Sequence, residues 1–175
     1  MVGGIFCYLH KAFNCFNYDI LLSKLEFYGI SGIAIKLLRS NLTNRYQRVI
    51  VKDNCLNKQV SEWEPIKHGV PQGSILGRLL FLAYINDLVQ TINKTAKVVL
   101  FADDTSILIT NSNPEEFKSN IDLVMEQTID WFHSNLLSLN SNKTHILQFR
   151  TKKSNEMMIQ IKTPNSIITN INFSV

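Results

Sequence analysis

Apolar residues along the chain follow two periodicities, which predict strands and helices in alternation. Short apolar or β-branched runs bounded by turn residues are typical of buried strands. The predicted strands span residues 2–9, 46–51, 60–67, 97–102, 105–110, 145–149 and 157–161. Apolar residues spaced three and four apart behind a capping residue predict helices. The predicted helices span residues 20–28, 32–41, 75–92 and 114–135.

The connections between these elements indicate the fold class. Asp53-Asn54 and Asp103-Asp104 are turn signals between consecutive strands, as in β-hairpins. Asp19 and Ser74 stand where the first and the long helix would be capped. Strands joined mostly by hairpins pair antiparallel, so we predict an α+β fold in which helices pack on one face of an antiparallel sheet. A length of 175 residues allows one domain with a core and is too short for two ordinary ones.

Composition excludes some classes of protein and leaves others open. A chain that is 45% hydrophobic and 18% charged is too apolar to be disordered by composition. No apolar run reaches the roughly 18 residues of a transmembrane helix, and the first residues lack the pattern of a signal peptide, so an intracellular protein without membrane contact is expected. The net charge of +4 fits a nucleic-acid partner, and it fits an ordinary solubilising surface equally well.

The pair Asp103-Asp104 is the sharpest chemical feature of the sequence. Adjacent carboxylates at a hairpin tip are ligands that Mg²⁺ prefers, and two such ions about 3.5–4 Å apart can catalyse phosphoryl transfer. An Asp-Asp pair alone is more often simply a turn, because Asp side chains satisfy turn backbone.

Two further segments carry the same ambiguity. The glycine-containing loop at residues 69–74 precedes the long helix and could let backbone N–H groups approach a base or a phosphate. It could equally be a plain start of a helix. Lys143 could donate a proton or a charge to a leaving pyrophosphate, or it could be a solvated lysine after a turn.

The residue sequences of these segments and their order along the chain are together more specific than any one segment. The chain closely resembles the palm of reverse transcriptases from non-LTR (LINE-like) retrotransposons over nearly its whole length. The segments that carry this resemblance are LHKAFNCFNYDILLSKLEFYGISG, NRYQRVIV, GVPQGSILGRLLFLAYINDL, FADDTSIL and WFHSNLLSLNSNKTHILQF.

The resemblance implies RNA-directed DNA polymerisation by two-metal nucleotidyl transfer. In that family the positions of Asp103 and Asp104 hold Mg²⁺, for which Mn²⁺ could substitute, and both are catalytic. The 3′-hydroxyl of a DNA primer attacks a deoxynucleoside triphosphate on an RNA template, and Lys143 matches a catalytic lysine near the leaving pyrophosphate. Residues 1–175 would form a partial palm domain that lacks most of the fingers and the thumb, and the family implies a nuclear location.

The resemblance also assigns residues to the template and nucleotide pocket. Gln72 and Gly73 match the loop that lies against the template and the incoming nucleotide. Ala102 matches a small residue beside the hairpin tip, where a bulky side chain would crowd the primer end.

This chain departs from the family pattern at the end of its first strand. The family has a motif resembling Asp-Leu-Ser-Lys-Ala-Phe-Asp, and this chain has Tyr8 and Asn14 at its two acidic positions. A neutral phenol is a poor replacement for a carboxylate that bridges two metal ions. The hypothesis is therefore an impaired polymerase, unless another carboxylate such as Asp19 substitutes. Arg78 also stands where the family usually has proline.

Three functions remain open at this point. The chain could be a palm fragment of a reverse transcriptase with reduced activity, a catalytically dead nucleic-acid-binding module, or a retroelement remnant without function. Because the neighbouring family segments are missing, sheet edges and apolar faces would lie uncovered, and marginal stability is expected.

Overall fold

The fold is that of a computed structural model, and the residues it describes are 1–52, 58–70, 73–92, 96–150, 159–163 and 166–174. The helices are α1 (Ala12–Cys15), α2 (Tyr18–Phe27), α3 (Gly32–Leu42), α4 (Ile75–Ile85), α5 (Leu88–Ile92) and α6 (Pro114–Ser134). The strands are β1 (Val2–Cys7), β2 (Tyr46–Gln47), β3 (Ile50–Lys52), β4 (Lys58–Val60), β5 (Glu64–Pro65), β6 (Lys97–Phe101), β7 (Asp104–Thr110), β8 (His145–Arg150), β9 (Gln160–Thr163) and β10 (Ser166–Ser174).

A six-stranded sheet in the order β6-β7-β1-β8-β10-β9 forms the centre of the molecule. Strand β1 pairs antiparallel with β7 and with β8, placing Cys7 opposite Thr105 and Phe6 opposite His145. Strand β10 runs parallel to β8, so the sheet is mixed at that side. Two small sheets, β2-β5 and β3-β4, lie outside it.

One face of the central sheet is covered and the other is open. Ile5 and Ile107, which are register partners, are fully buried on the covered face. Helix α6 packs there, and a Cβ atom on Gly3 would come within 2.7 Å of the Phe117 ring. Residues at alternate positions, such as Leu108, are exposed on the other face. The predicted α+β fold with helices on one face of the sheet is therefore confirmed.

Helix α2 begins earlier than predicted because a different side chain caps it. The Asn17 side-chain oxygen accepts hydrogen bonds from the backbone N–H groups of Asp19 and Ile20, at 2.8 Å and 3.2 Å. Asp19, predicted as the cap, lies in the first helical turn, where a carboxylate interacts favourably with the helix dipole.

The predicted strand at residues 60–67 is divided in two. Ser61 lies between β4 and β5; its backbone N–H donates to the Val49 carbonyl and its hydroxyl accepts from the Val49 N–H, both at 2.9 Å. These contacts interrupt the regular ladder, so one predicted hairpin becomes two short ones. Of the strand predicted at residues 157–161, the structure describes 159–161, and β9 begins at residue 160. No bounds were predicted for strand β10.

The long helix predicted at residues 75–92 is divided by a turn at Asn86 and Asp87 into α4 and α5. Ile75–Ile92 has a mean hydropathy of 1.3 over 18 residues, which by length and composition would suffice to cross a membrane. The prediction that no apolar run reaches this length was therefore too strict. The same apolar composition suits a core position, because Phe81, Tyr84 and Leu88 are fully buried.

Lys24 joins three helices. Its ammonium lies 2.7 Å from the Asp87 carboxylate and donates to the Tyr84 carbonyl at the same distance. It also stands 4.6 Å from the centre of the Trp131 ring on α6. Burial lowers the pKa of Lys24, while the hydrogen bond to Asp87 raises it in part. This cluster holds α2 against the α4–α5 turn and against α6.

We expect Lys24→Ala to lower the free energy of unfolding by about 2 kcal/mol, because it leaves the partly buried Asp87 carboxylate without its cation. Urea unfolding followed by Trp fluorescence measures the loss. Lys36→Ala, at an exposed site on α3, is the control and should change the value by less than about 0.5 kcal/mol. Equal losses in the two variants would contradict a specific role of the cluster.

Candidate active site

The β6–β7 hairpin presents two aspartates at one end of the sheet. Phe101 pairs with Asp104, so the loop between the strands consists of Ala102 and Asp103. Ala102 has a φ of 53°, which costs a residue other than glycine roughly 1 kcal/mol. A positive φ at the first loop residue is typical of type II′ hairpin turns. The sequence predicted both aspartates in the turn, but Asp104 is the first residue of β7.

The two carboxylates differ in their surroundings. Asp104 is exposed, whereas Asp103 is half-buried. Ala102 is exposed beside them.

Tyr8 follows β1 at the same end of the sheet. Cys7 and Thr105 are the last register pair of β1 and β7, and Tyr8 and Asp104 are each one residue beyond that pair. The Tyr8 side chain is 36% exposed. The position that matches a metal-binding aspartate of the family this chain resembles therefore lies at the hairpin end of the sheet, and it holds a phenol.

Two hydrogen bonds fix the Tyr8 backbone. Its N–H donates to the Thr144 hydroxyl at 3.3 Å, and its carbonyl accepts from the Asn140 N–H at 2.7 Å. The Thr144 hydroxyl in turn donates to the Asn140 carbonyl at 2.8 Å. The segment that precedes β8 is thereby tied to the end of β1.

Lys143 projects from this segment onto Tyr8. The turn that carries it is closed by a hydrogen bond from the Lys143 N–H to the Asn140 carbonyl, at 3.1 Å. The Lys143 ammonium lies 4.8 Å from the centre of the Tyr8 ring, a distance typical of cation–π contacts. The structure thus brings Lys143 to the same end of the sheet as the two aspartates. There it contacts Tyr8, the residue that departs from the family motif.

These residues do not fit a two-metal centre. Within the described parts of the chain, no three His, Cys, Asp or Glu side chains form a group that could hold a metal ion. Asp103 and Asp104 offer two carboxylates, which is at most a weak site for one hard cation. Tyr8, at the position that matches a metal-binding aspartate of the family motif, is a neutral phenol. The Lys143 ammonium beside it places positive charge near where a cation would bind.

The loop before α4 is described only in part. Gln72, predicted to contact template and nucleotide, lies outside the described residues. Gly73 has a φ of 84°, and among the residues that the structure describes no atom beyond its chain neighbours lies within 4 Å of the position of an added Cβ. The Ser74 hydroxyl accepts from the Gly77 N–H at 3.0 Å, which confirms Ser74 as the cap of α4.

Gly69 is held much more tightly than Gly73. Its φ is 74°, and an added Cβ would lie 2.6 Å from both the Asn14 Cα and the Phe13 carbonyl oxygen. The Val70 N–H donates to that same carbonyl at 3.0 Å. Asn14, the second position at which the family motif is acidic, is exposed at this contact.

Sequence reasoning missed two features of the site. The stacking of Lys143 on Tyr8 left no local signal, because the two residues are distant in sequence. The contact of Gly69 with α1 had one signal, the glycine itself, which was interpreted as allowing the loop backbone to approach a base or a phosphate and not another part of the chain.

Comparisons with known proteins identify the family. A family model described as reverse transcriptase (RNA-dependent DNA polymerase) matches residues 4–163. The comparison with curated proteins finds no match. Among solved structures, a Candida tropicalis telomerase truncated from its C-terminal domain is 13% identical with a TM-score of 0.58, covering 89% of this chain and 32% of that one. A Candida albicans telomerase in complex with a fragment of telomeric RNA is 12% identical with a TM-score of 0.59, covering 90% and 29%.

These structural similarities concern the fold, and the chain spans about a third of the length of the telomerases it matches. The family model covers most of the chain, including β1 from its third residue, the β6–β7 hairpin and the segment before β8. The chain belongs to the reverse transcriptase (RNA-dependent DNA polymerase) family.

Proposed function

We propose that this chain is the palm region of a LINE-like, non-LTR retrotransposon reverse transcriptase whose polymerase centre is impaired. The observation that carries the impairment is Tyr8, which directly follows the last paired residue of β1 and has the Lys143 ammonium over its ring. The assignment to the retrotransposon subtype is based on the residue sequences of the motifs and their order along the chain. These motifs extend from the segment after β1 to the Asn-Ser-Asn-Lys-Thr segment before β8.

The residues have the following roles in this proposal. Asp103 and Asp104 are the remaining catalytic carboxylates, and Lys143 lies where pyrophosphate would leave. Gln72, Gly73 and Ala102 border the template and the incoming nucleotide. The partners are an RNA template, a DNA primer and deoxynucleoside triphosphates, and the location is the nucleus. Mg²⁺, or Mn²⁺ in its place, is the cation that a complete set of carboxylates would take.

Tyr8 disfavours catalysis for two reasons that add. A phenol at neutral pH supplies no negative charge, so the centre has lost one of the anionic ligands that hold divalent ions. The ring also holds the Lys143 ammonium at 4.8 Å, which adds repulsion toward any cation nearby.

Primer extension tests this proposal. A labelled DNA primer on an RNA template, with deoxynucleoside triphosphates and Mg²⁺ or Mn²⁺, should be extended at background level by the wild-type chain. Tyr8→Asp should extend it more, and Tyr8→Phe should behave as the wild type. Equal extension by wild type and Tyr8→Asp would contradict the impairment.

A nucleic-acid-binding module without catalysis is the second candidate. It is favoured by the basic segment at residues 39–67, which carries six Lys and Arg against three Asp and Glu, a net of +3. Salt-dependent binding of an RNA–DNA hybrid in EDTA, without extension by any variant, would support this function. No binding under these conditions would leave a remnant without function.

A further inference from the structure

A cavity of about 480 Å³ lies between α1, the β2–β5 hairpin and the segment that leads to α4. Its lining includes Asn14, Arg45, Gln47, His68 and Gly69. None of the described lining residues is acidic, and most of those named carry polar groups that can donate a hydrogen bond. The cavity is large enough for part of a ligand rather than a single water.

Arg45 has an unused donor at this cavity. Its Nη1 atom is buried and has no hydrogen-bond partner among the residues that the structure describes. A buried guanidinium nitrogen without an acceptor is costly, and its planar donors match the oxygens of a phosphate or a carboxylate. An anionic ligand at the cavity that Arg45 lines would offer the acceptor that this guanidinium lacks.

The backbone around Arg45 is held in place. Its carbonyl accepts from the Ile66 N–H at 2.8 Å, and Gln47, two residues on, pairs with Glu64. Residues two apart on an extended chain share a face, which explains why Arg45 and Gln47 both line the cavity. The guanidinium is thus presented by a paired hairpin and not by a free loop.

The surrounding segment favours a polyanion over a small acid. Residues 39–67 carry a net charge of +3, most of the net charge of the whole chain, which is +4. Such local excess attracts the phosphate backbone of nucleic acids independently of sequence.

We propose that the Arg45 cavity binds a backbone phosphate of a nucleic-acid strand, with the guanidinium fork as the main contact and Gln47 and His68 as neighbouring donors. The proposal rests on the nucleic-acid partner of the proposed function and needs neither catalysis nor a metal ion. It assigns a binding role to Arg45, a residue outside the motifs that the sequence singled out.

Fluorescence anisotropy of a labelled single-stranded RNA in EDTA tests the role of Arg45. Arg45→Gln should weaken binding about ten-fold and lower the slope of log K against log salt by about 0.7, the value for one phosphate contact on a single strand. Lys36→Gln removes one positive charge from an exposed site on α3, outside the basic segment at residues 39–67, and is the control. It should retain the wild-type slope.

A footprint on the wild-type chain makes the test independent of whether the variant folds. Phenylglyoxal modification of Arg45, read by mass spectrometry, should fall when RNA is present, whereas millimolar inorganic phosphate alone should not protect it. Protection by inorganic phosphate but not by RNA would overturn a nucleic-acid site. Equal RNA binding by wild type and Arg45→Gln would overturn the role of Arg45. Absence of RNA binding by the wild type would instead refute the nucleic-acid partner itself.

Discussion

Replacing Tyr8 with aspartate is expected to tighten Mn²⁺ binding at the hairpin end of the sheet by about ten-fold or more. Tyr8 and Asp104 are each one residue beyond the last register pair of β1 and β7, Cys7 and Thr105, so we expect the introduced carboxylate to lie near the two aspartates of the hairpin. The introduced carboxylate would also form an ion pair with the Lys143 ammonium, which now lies over the Tyr8 ring. This pairing would reduce the repulsion between the ammonium and the bound cation. Electron paramagnetic resonance of free Mn²⁺ measures the affinity without any need for polymerase activity.

Two further variants separate the contributions to this effect. Tyr8→Phe keeps the ring and should leave Mn²⁺ affinity unchanged, because the phenol supplies no negative charge. Lys143→Gln removes the nearby ammonium and should tighten binding by a smaller factor, since only repulsion is lost. If Tyr8→Phe binds Mn²⁺ as tightly as Tyr8→Asp, the missing carboxylate is not the cause of weak binding.

The parts of the fold that depend on neighbouring residues could be predicted from the sequence. The alternation in β6 and β7 around a turn signal was sufficient, because a hairpin is set by local pairing and by its loop. Ser74 was predicted correctly as a cap, because its hydroxyl bonds to an N–H three residues on. The position of Tyr8 at the end of a strand beside the hairpin followed from the family pattern.

Features that depend on long-range contacts could not be predicted. The α4–α5 turn is fixed by Lys24, which reaches Asp87 from another helix, so the apolar pattern alone indicated one unbroken helix. The parallel pairing of β10 with β8 has no local signature, since polar residues such as Asn170 and Asn172 interrupt its apolar pattern. The contact between Lys143 and Tyr8 likewise arises only when β1 and the segment before β8 are brought together.

Gly69→Ala is expected to lower the free energy of unfolding by about 3 kcal/mol, the largest effect on stability at any site considered above. The added Cβ would lie 2.6 Å from the Asn14 Cα and from the Phe13 carbonyl oxygen, so backbone would have to move. The positive φ of 74° adds roughly 1 kcal/mol of strain for a residue other than glycine. Thermal unfolding followed by circular dichroism should show a Tm lowered by roughly 10 °C.

Gly29→Ala separates the steric part of this loss from the strain. Gly29 has a comparable φ of 92°, but no atom lies within 4 Å of its added Cβ, so only the strain of about 1 kcal/mol should appear. The difference between the losses in free energy of unfolding of the two variants then measures the steric cost of an added Cβ at the contact between Gly69 and α1. That approach also forms one wall of the Arg45 cavity, so Gly69→Ala should weaken RNA binding where Gly29→Ala does not. Equal destabilisation by both substitutions would show that Gly69 is required for its backbone conformation alone.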